Sequence, residues 1–133
     1  MKKWFDNAKS GNLKAMKAIY KIMKNKEKEE DIKKWRSPHG WTALRNATVY
    51  RRVEIVEWLL DEVKVDINEQ VMIGYHSALH LAARANKISC ARVLLKHHAA
   101  ILKDHEGLTP LDEAKRCGYK EMENLIKTHF NLT

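Results

Sequence analysis

An internal repetition is the feature that most constrains how this chain can fold. Three segments share one pattern: a hydroxyl residue, a Leu two positions later and an Ala three positions after that; they are residues 42–47, 77–82 and 109–114. Their Leu residues, Leu44, Leu79 and Leu111, lie 35 and 32 positions apart. A second apolar block follows each segment in the same order. Units of this length cannot bury an apolar face alone, so the pattern predicts that they stack around one continuous core.

Each unit is predicted to form two short antiparallel helices. The hydroxyl residue can cap the first helix by accepting a hydrogen bond from an unpaired N–H at its start. Pro110 suits the first position of a helix, where its missing N–H has no partner to lose. The Ala that ends each segment lets neighbouring helices approach closely. Between the two helices, Asn86 and Gly118 suit a turn with a positive φ, whereas Arg51 suits it poorly.

These units resemble ankyrin repeats. The family pattern, G-x-T-P-L-H-x-A-A followed by a turn Gly, V-V-x-x-L-L and D-V-N, is similar to residues 40–47, 77–83 and 107–114, and residues 66–68 match D-V-N. Residues 8–20 resemble a capping repeat without the T-P-L start. The resemblance implies an all-α ankyrin-repeat solenoid of stacked helix-turn-helix units with short finger loops. Val63 and Lys64 depart from the Gly-Ala that the family places before the finger.

We predict one domain, residues 1–133, with repeats at approximately 2–24, 38–68, 73–104 and 105–130. Residues 25–37 form a charged insertion outside the pattern, in which Lys and Glu alternate. Such a segment is typical of a solvated helical extension or a mobile loop. Ile32 and Trp35 lie three apart and can pin the insertion to the body. A docked extra turn is therefore the favoured alternative.

The charge of the chain is concentrated at one end. The 133 residues carry a formal net charge of +8, and residues 1–36 hold 12 Lys and Arg against 5 Asp and Glu. No apolar stretch has the length of a membrane span, and no secretory signal follows the first lysines. Two cysteines are too few for a disulfide framework. We therefore expect an intracellular protein, cytoplasmic or nuclear, without a membrane association.

The sequence offers little for catalysis or metal binding. It contains no Gly-rich phosphate loop, no nucleophile elbow and no paired carboxylates, so we expect neither an enzyme nor a cofactor. His76 and His80 lie four apart, but His80 fills the structural His position of the family and His76 precedes the helix. No Cys or carboxylate stands at ligand spacing to complete a metal site. Cys90 is predicted to be a core residue, and Cys117 a more accessible one.

A lysine stripe is predicted on the N-terminal unit. The spacing of three and four places five lysines on one helical face; they are Lys14, Lys17, Lys21, Lys24 and Lys28. The favoured interpretation is the polar outer face that a capping repeat needs for solubility. The alternative is an electrostatic site for nucleic acid or another acidic surface. The absence of interleaved aromatic residues argues against nucleic acid.

The resemblance also implies where a partner binds. Ankyrin proteins usually grip partners with finger tips and with the exposed ends of the first helices, and Trp, Tyr and Arg are enriched in interface hot spots. Trp41 and Tyr50 are the favoured contacts, because stacking alone does not require them. The matching positions are His39, Trp41, Val49, Tyr50, Ile73, Tyr75, His76, Arg84, His105, Leu108 and Arg116, with Cys117 beside them.

Taken together, these features predict a non-catalytic protein–protein interaction module, monomeric alone, that acts as an inhibitor or adaptor. A constitutive subunit of a larger complex, contacted along its outer helices, is a further alternative. The resemblance also implies one modification: Asn68 matches the D-V-N asparagine that asparaginyl hydroxylases modify in many ankyrin proteins. A structural role for Asn68 in bracing the finger explains the same residue.

Overall fold

The fold is built from helices, which confirms the predicted all-α class. The computed structural model describes residues 1–71 and 73–132, and the regular elements within them are helical. A π-helical turn, Leu59–Val63, continues the fifth helix. In chain order the helices are α1 (Lys2–Ser10), α2 (Leu13–Asn25), α3 (Glu29–Lys33), α4 (Ala43–Val49), α5 (Val53–Trp58), α6 (Ala78–Arg84), α7 (Ile88–Lys96), α8 (Pro110–Cys117) and α9 (Lys120–His129).

Hydroxyl side chains fix where three of these helices begin, as predicted. Thr42, Ser77 and Thr109 each accept a hydrogen bond from the backbone N–H three residues later, at 3.0, 3.3 and 3.2 Å. At α8 the Asp112 carboxylate also accepts from the N–H of Thr109 at 2.9 Å. Pro110 occupies the first turn of this helix. Each cap satisfies an N–H that has no partner within the helix.

The helices pack in two layers. The first helices, α1, α4, α6 and α8, lie side by side, and the second helices, α5, α7 and α9, lie side by side behind them. The small residues that allow this close packing are fully buried; they are Ala8, Ala47, Ala82 and Ala114. We call the exposed side of the first helices, together with the fingers, the concave face.

An aromatic cluster closes the N-terminal end of the stack. The Trp4 ring is buried and lies 6.2 Å from that of Trp35 and 5.9 Å from that of Trp58, between centroids. Tyr20 meets Trp58 edge to face at 5.6 Å. Ile32 of α3 is also buried, so the charged insertion docks on the body through Ile32 and Trp35, as their spacing predicts.

The turns between the paired helices of the last three repeats place three residues in the left-handed region. Asn86 and Gly118 have φ values of 57° and 74°. Arg51 also has a positive φ, of 55°, although its side chain suits that conformation poorly. The left-handed conformation costs a residue with a Cβ about 1–2 kcal/mol. The stacking of neighbouring helices therefore overrides a local preference at Arg51.

The π-helical turn absorbs one residue of the longer repeat spacing. Lys64 and His98 hold the same left-handed position after their second helices, with φ values of 62° and 67°. Lys64 follows Leu59 by five residues, whereas His98 follows Leu94 by four. A π-turn contains one more residue than an α-turn. The extra residue is thereby accommodated inside the helix rather than in the finger.

The connections between repeats form fingers, which we number in chain order: finger 1 (34–42), finger 2 (64–77) and finger 3 (97–109). Each finger is closed by one backbone hydrogen bond of 2.8–3.0 Å at an equivalent point. The donor and acceptor pairs are Ser37 to Trp41, Val71 to His76 and Asp104 to Leu108. This shared closure presents the tips of successive fingers in a row along the concave face.

Candidate functional site

A groove lies at the N-terminal end of the concave face, between α1, α4 and finger 1. Its cavity has a volume of about 600 Å³. We call it the N-terminal groove. Three aromatic side chains, Phe5, Trp41 and Tyr50, belong to its lining. Two of these, Trp41 and Tyr50, are the residues that the sequence singles out as partner contacts. The other lining residues are Met1, Lys2, Asp6, Lys9, Arg36, Ser37, Pro38, His39, Arg45 and Asn46.

Two aromatic rings of the groove carry a cation. The Arg45 guanidinium carbon lies 3.7 Å from the centroid of the Trp41 ring. Lys9 Nζ lies 5.1 Å from the centroid of the Tyr50 ring. His39 leans on Trp41, with the ring centroids 5.0 Å apart and the planes tilted by 36°. Such contacts hold the rings in place and leave positive charge at the groove surface.

The cations of the groove outnumber its acids. Lys2, Lys9 and Arg45 form no ion pair within the described part of the chain, and Asp6 is the one acidic residue of the lining. Arg45 is half-buried, and desolvation lowers the pKa of its guanidinium, although the nearby Tyr50 opposes that shift. A charge removed from water without a carboxylate partner is a local cost that a bound anion would offset.

Arg36 differs from the other cations of the lining. Its guanidinium forms an ion pair with Glu69 and donates to the carbonyl oxygens of Lys33 and Trp35, the latter at 2.8 Å. These contacts tie the charged insertion to finger 2. Arg36 is therefore committed to the fold, and the free positive charge of the groove comes from α1 and α4.

A second exposed patch lies on fingers 2 and 3. Ile73 and Tyr75 are 70% and 53% exposed, and the Tyr75 ring lies 6.4 Å from that of His105. The two fingers are held together by the Gln70 amide, which donates to the carbonyls of Tyr75 and Lys103 at 2.9 and 2.7 Å. Three predicted contact residues thus share one braced surface, separate from the groove.

His80 is a structural residue that joins two repeats. It is fully buried, and its Nε2 lies 2.8 Å from the carbonyl oxygen of Leu108. Its Nδ1 accepts from the N–H of Ser77 at 3.1 Å. The proton therefore sits on Nε2, which donates to Leu108, and the ring is neutral. Burial lowers the pKa of His80, against the pull of the Leu108 carbonyl. Leu108, a predicted contact, serves here through its backbone.

His76 lies against carboxylates that the sequence did not place near it. Its Nε2 is 3.4 Å from Asp104 Oδ2, and Glu113 brings a third potential ligand atom within 4.8 Å of the other two. No carboxylate stands at ligand spacing from His76 in the sequence, but the next finger and helix bring Asp104 and Glu113 to it in the fold. Asp104 Oδ1 accepts from the N–H groups of two finger residues, and Glu113 pairs with Arg116 at 2.8 Å. These partners make the cluster a brace of finger 3.

The remaining predicted contacts occupy separate positions. Arg84 and Cys117 are exposed at the ends of α6 and α8, as is Arg116, whose guanidinium holds Glu113. Val49 is half-buried beside the groove and is not part of its lining. Cys90 is buried in the core, as predicted, and burial raises the pKa of its thiol to about 11.

Asn68 braces two neighbouring repeats. Its side-chain oxygen accepts from the N–H of Ala100 at 2.9 Å, and its own N–H donates to Asp66 at the same distance. The side-chain bond to Ala100 accounts for the asparagine of the D-V-N match. Its hydroxylation remains a separate hypothesis, which mass spectrometry of native material would decide.

The lysine stripe is shorter than predicted. Lys14, Lys17, Lys21 and Lys24 lie on α2, where all four are exposed. Lys28 does not share their face, because α2 ends at Asn25 and the chain turns through Glu27, whose φ is 57°. The prediction of five lysines on one face was therefore wrong at Lys28. The helical spacing was correct, but it continued past a turn with no Gly or Pro to mark it.

Sequence reasoning missed part of the groove. Phe5 and Lys9 come from α1, which belongs to the unit without the T-P-L start and so had no motif to align. Arg45 stands at the family His position, in the first turn of α4, and the family pattern assigns no contact to a cation there. The signal that could have found it is a cation only four residues after Trp41, close enough along the chain to reach the ring.

Comparison with known proteins is consistent with this architecture. A family model described as "Ankyrin repeats (3 copies)" matches residues 72–132, and one described as "Ankyrin repeat" matches residues 39–69. A human protein, "SH3 and multiple ankyrin repeat domains protein 2", is 36% identical over 92 residues. The match covers 68% of this chain and 5% of that protein, so the chain spans only a small part of that relative's length. Across residues 1–71 and 73–132, no helix has the length and apolarity to cross a membrane.

Proposed function

The chain belongs to the ankyrin-repeat family, and on that premise we propose that it is a recognition module that binds a protein partner through its concave face and fingers. Ankyrin repeats generally mediate protein–protein interaction, and proteins built from them are typically non-catalytic. The proposed role is that of an inhibitor or adaptor, which acts by covering a partner's surface or by holding it.

The N-terminal groove is the observation that carries this proposal. Tyr50 is 40% exposed there, and Trp41 is half-buried. Neither ring joins the aromatic cluster that closes the stack. Large, rigid aromatic side chains beside a cation are the residues on which protein interfaces most often depend. The groove therefore has the composition of an interface hot spot.

The exposed patch of Ile73, Tyr75 and His105 supports a longer contact. It lies on the fingers that follow the groove along the stack, and the braced fingers hold it in a fixed geometry. A partner that covers both sites gains from two anchors at once. The groove is the primary anchor in this proposal, and the patch is the secondary one.

Quantitative affinity capture tests the proposal. We expect partner proteins retained by the wild type to be lost from the double variant Trp41→Ala/Tyr50→Ala. Ile22→Ala is a matched control, since Ile22 is an exposed apolar residue of α2 outside the groove. Retention should fall only partly at moderate salt, because the apolar contact with the rings remains when the charges are screened. Equal capture by the double variant and the wild type would contradict the site.

The four lysines of α2 support a second candidate, an electrostatic contact with an acidic surface. All four are exposed, and none has an ion pair among the described residues. Binding through them would fall steeply between low and moderate salt. It would also weaken when Lys17 and Lys21 are replaced by Gln, a change that should leave binding at the groove intact.

A further inference from the structure

We infer that the N-terminal groove binds an acidic peptide segment of the partner, with carboxylate side chains on its cations and an apolar side chain against its rings. This inference rests on the proposed function and adds the chemical class of the ligand. It is based on the charge of the groove. Binding through the aromatic residues alone would not determine the charge of the ligand.

Charge complementarity selects an acidic ligand. Lys2, Lys9 and Arg45 face the cavity against the single acid Asp6, and the three cations have no ion-pair partner within the described residues. The Arg45 side chain donates to the amide oxygen of Asn46 at 2.9 Å, which orients the guanidinium and leaves its charge uncompensated. A carboxylate placed here gains a charge-assisted hydrogen bond of the strong kind.

The position of each cation defines where an acid can bind. The Arg45 guanidinium lies over the Trp41 ring and Lys9 Nζ lies over the Tyr50 ring. Each positive group is therefore next to an apolar surface. A ligand that matches both must present carboxylates next to an apolar side chain. A peptide with Asp or Glu near a Leu or similar residue has this pattern. Phe5, Trp41 and Tyr50 line the cavity and provide the apolar contact.

The same arrangement disfavours a nucleic acid as the occupant. Single-stranded nucleic acid binds when bases stack on open aromatic faces along a basic track. Here one face of Trp41 is already covered by Arg45 and one face of Tyr50 by Lys9. The exposed lysines of α2 do not line the groove. The cations are therefore arranged around a short cavity rather than along a strand.

The volume of the cavity suits side chains rather than a whole domain. About 600 Å³ lies within the range of pockets that bury small ligands. This space accommodates a few consecutive side chains of a peptide. The rest of the partner would then extend over the fingers, toward the exposed patch of Ile73, Tyr75 and His105.

Selection from a random peptide library on the immobilised protein tests this inference. We expect the wild type to enrich peptides that contain Asp or Glu next to an apolar residue. Enriched peptides would then be labelled, and their affinity measured by fluorescence anisotropy beside versions in which every acid is replaced by its amide. Loss of each charge-assisted contact should weaken binding by about tenfold.

Variants of the protein identify which cations of the groove contact the acidic peptide. Lys9→Gln and Arg45→Gln should each weaken the acidic peptide by about tenfold and leave its amide version unchanged. Lys96→Gln is the matched control, since Lys96 is an exposed cation of α7. Because Arg45 also contacts Asn46, the Lys9 variant keeps the test informative if Arg45→Gln reduces stability. A single-stranded oligo(dT) competitor should not displace the peptide.

The outcomes separate this inference from the proposed function. Enrichment of neutral or basic peptides, no enrichment at all, or displacement by oligo(dT) would overturn the acidic ligand. Partner capture that still depends on Trp41 and Tyr50 would in that case leave the recognition module standing. Capture that ignores both aromatic residues would overturn the proposed function itself, whichever peptides are selected.

Discussion

Replacing His80 tests the contact that ties the third repeat to the fourth. Its ring bridges Ser77 and the carbonyl oxygen of Leu108 in finger 3, with contacts of 3.1 and 2.8 Å. In His80→Ala both backbone groups lose their partner, and each unsatisfied buried group costs about 1–3 kcal/mol. The empty space left by the buried ring adds a cavity cost. We expect the free energy of unfolding to fall by about 3–5 kcal/mol.

The variant His80→Asn separates the two bonds. Its amide oxygen can still accept from the N–H of Ser77, but the side chain is too short to reach Leu108. We expect a loss of about 1–3 kcal/mol, which isolates the bond between repeats. This smaller change also keeps the prediction measurable if His80→Ala does not fold.

The pH dependence of the same pair of proteins gives an independent check. Burial lowers the pKa of His80, so the folded state binds fewer protons than the unfolded state as the pH falls. The stability due to the neutral ring is complete above the unfolded pKa of about 6.5 and is lost below it. The difference between wild type and His80→Asn should therefore shrink by up to about 1.4 kcal/mol per pH unit.

Urea unfolding followed by far-UV circular dichroism measures these differences, at about pH 8 and again below the unfolded pKa of about 6.5. Equal slopes against urea for the three proteins would show that the variants keep the native compactness. Both variants within about 0.5 kcal/mol of the wild type would refute the proposed tie. A gap between wild type and His80→Asn that does not change with pH would refute the neutral, buried ring.

Three further predictions concern other parts of the stack. Arg51→Gly should raise the free energy of unfolding by about 1 kcal/mol, since glycine adopts the positive φ without strain, and a lower stability in urea would contradict this. The hydrogen bond from His97 to Asp61 raises the pKa of His97. The stability that this bond provides is therefore present at low pH and is lost as the pH rises through that pKa. In an NMR titration, Asp61→Asn should return the pKa of His97 toward its usual value. Iodoacetamide should alkylate exposed Cys117 and spare Cys90 in native protein, and equal labelling by mass spectrometry would show that the core opens readily.

The sequence predicts the helical stack well because caps and apolar spacing are local signals. Thr42, Ser77 and Thr109 mark helix starts through chemistry that acts within one turn, so no tertiary knowledge is needed to find them. The docked insertion was also predictable, since Ile32 and Trp35 are apolar residues three apart in an otherwise charged segment. The family resemblance extended these signals to the stacking order of the units.

The parts that the sequence could not predict depend on contacts between distant residues. Asp104 and Glu113 reach His76 from a different finger and helix, and their separation along the chain gives no hint of this. The N-terminal groove is likewise made by α1 and α4 together, so Phe5 and Lys9 acquire their role only once the units stack. Lys28 shows the opposite error, in which a regular spacing extends beyond the end of its helix.

The π-helical turn at Leu59–Val63 determines how this stack tolerates changes in length. In a stack in which each repeat contacts only its neighbours, an added residue changes the orientation of every later repeat unless the same repeat compensates for it. Here the repeat itself compensates for one added residue, because the wider π-helical turn places Lys64 in the left-handed position that His98 holds in the next repeat. The end of α5 is thus a place where a repeat can be one residue longer while the position that follows the helix keeps its left-handed conformation.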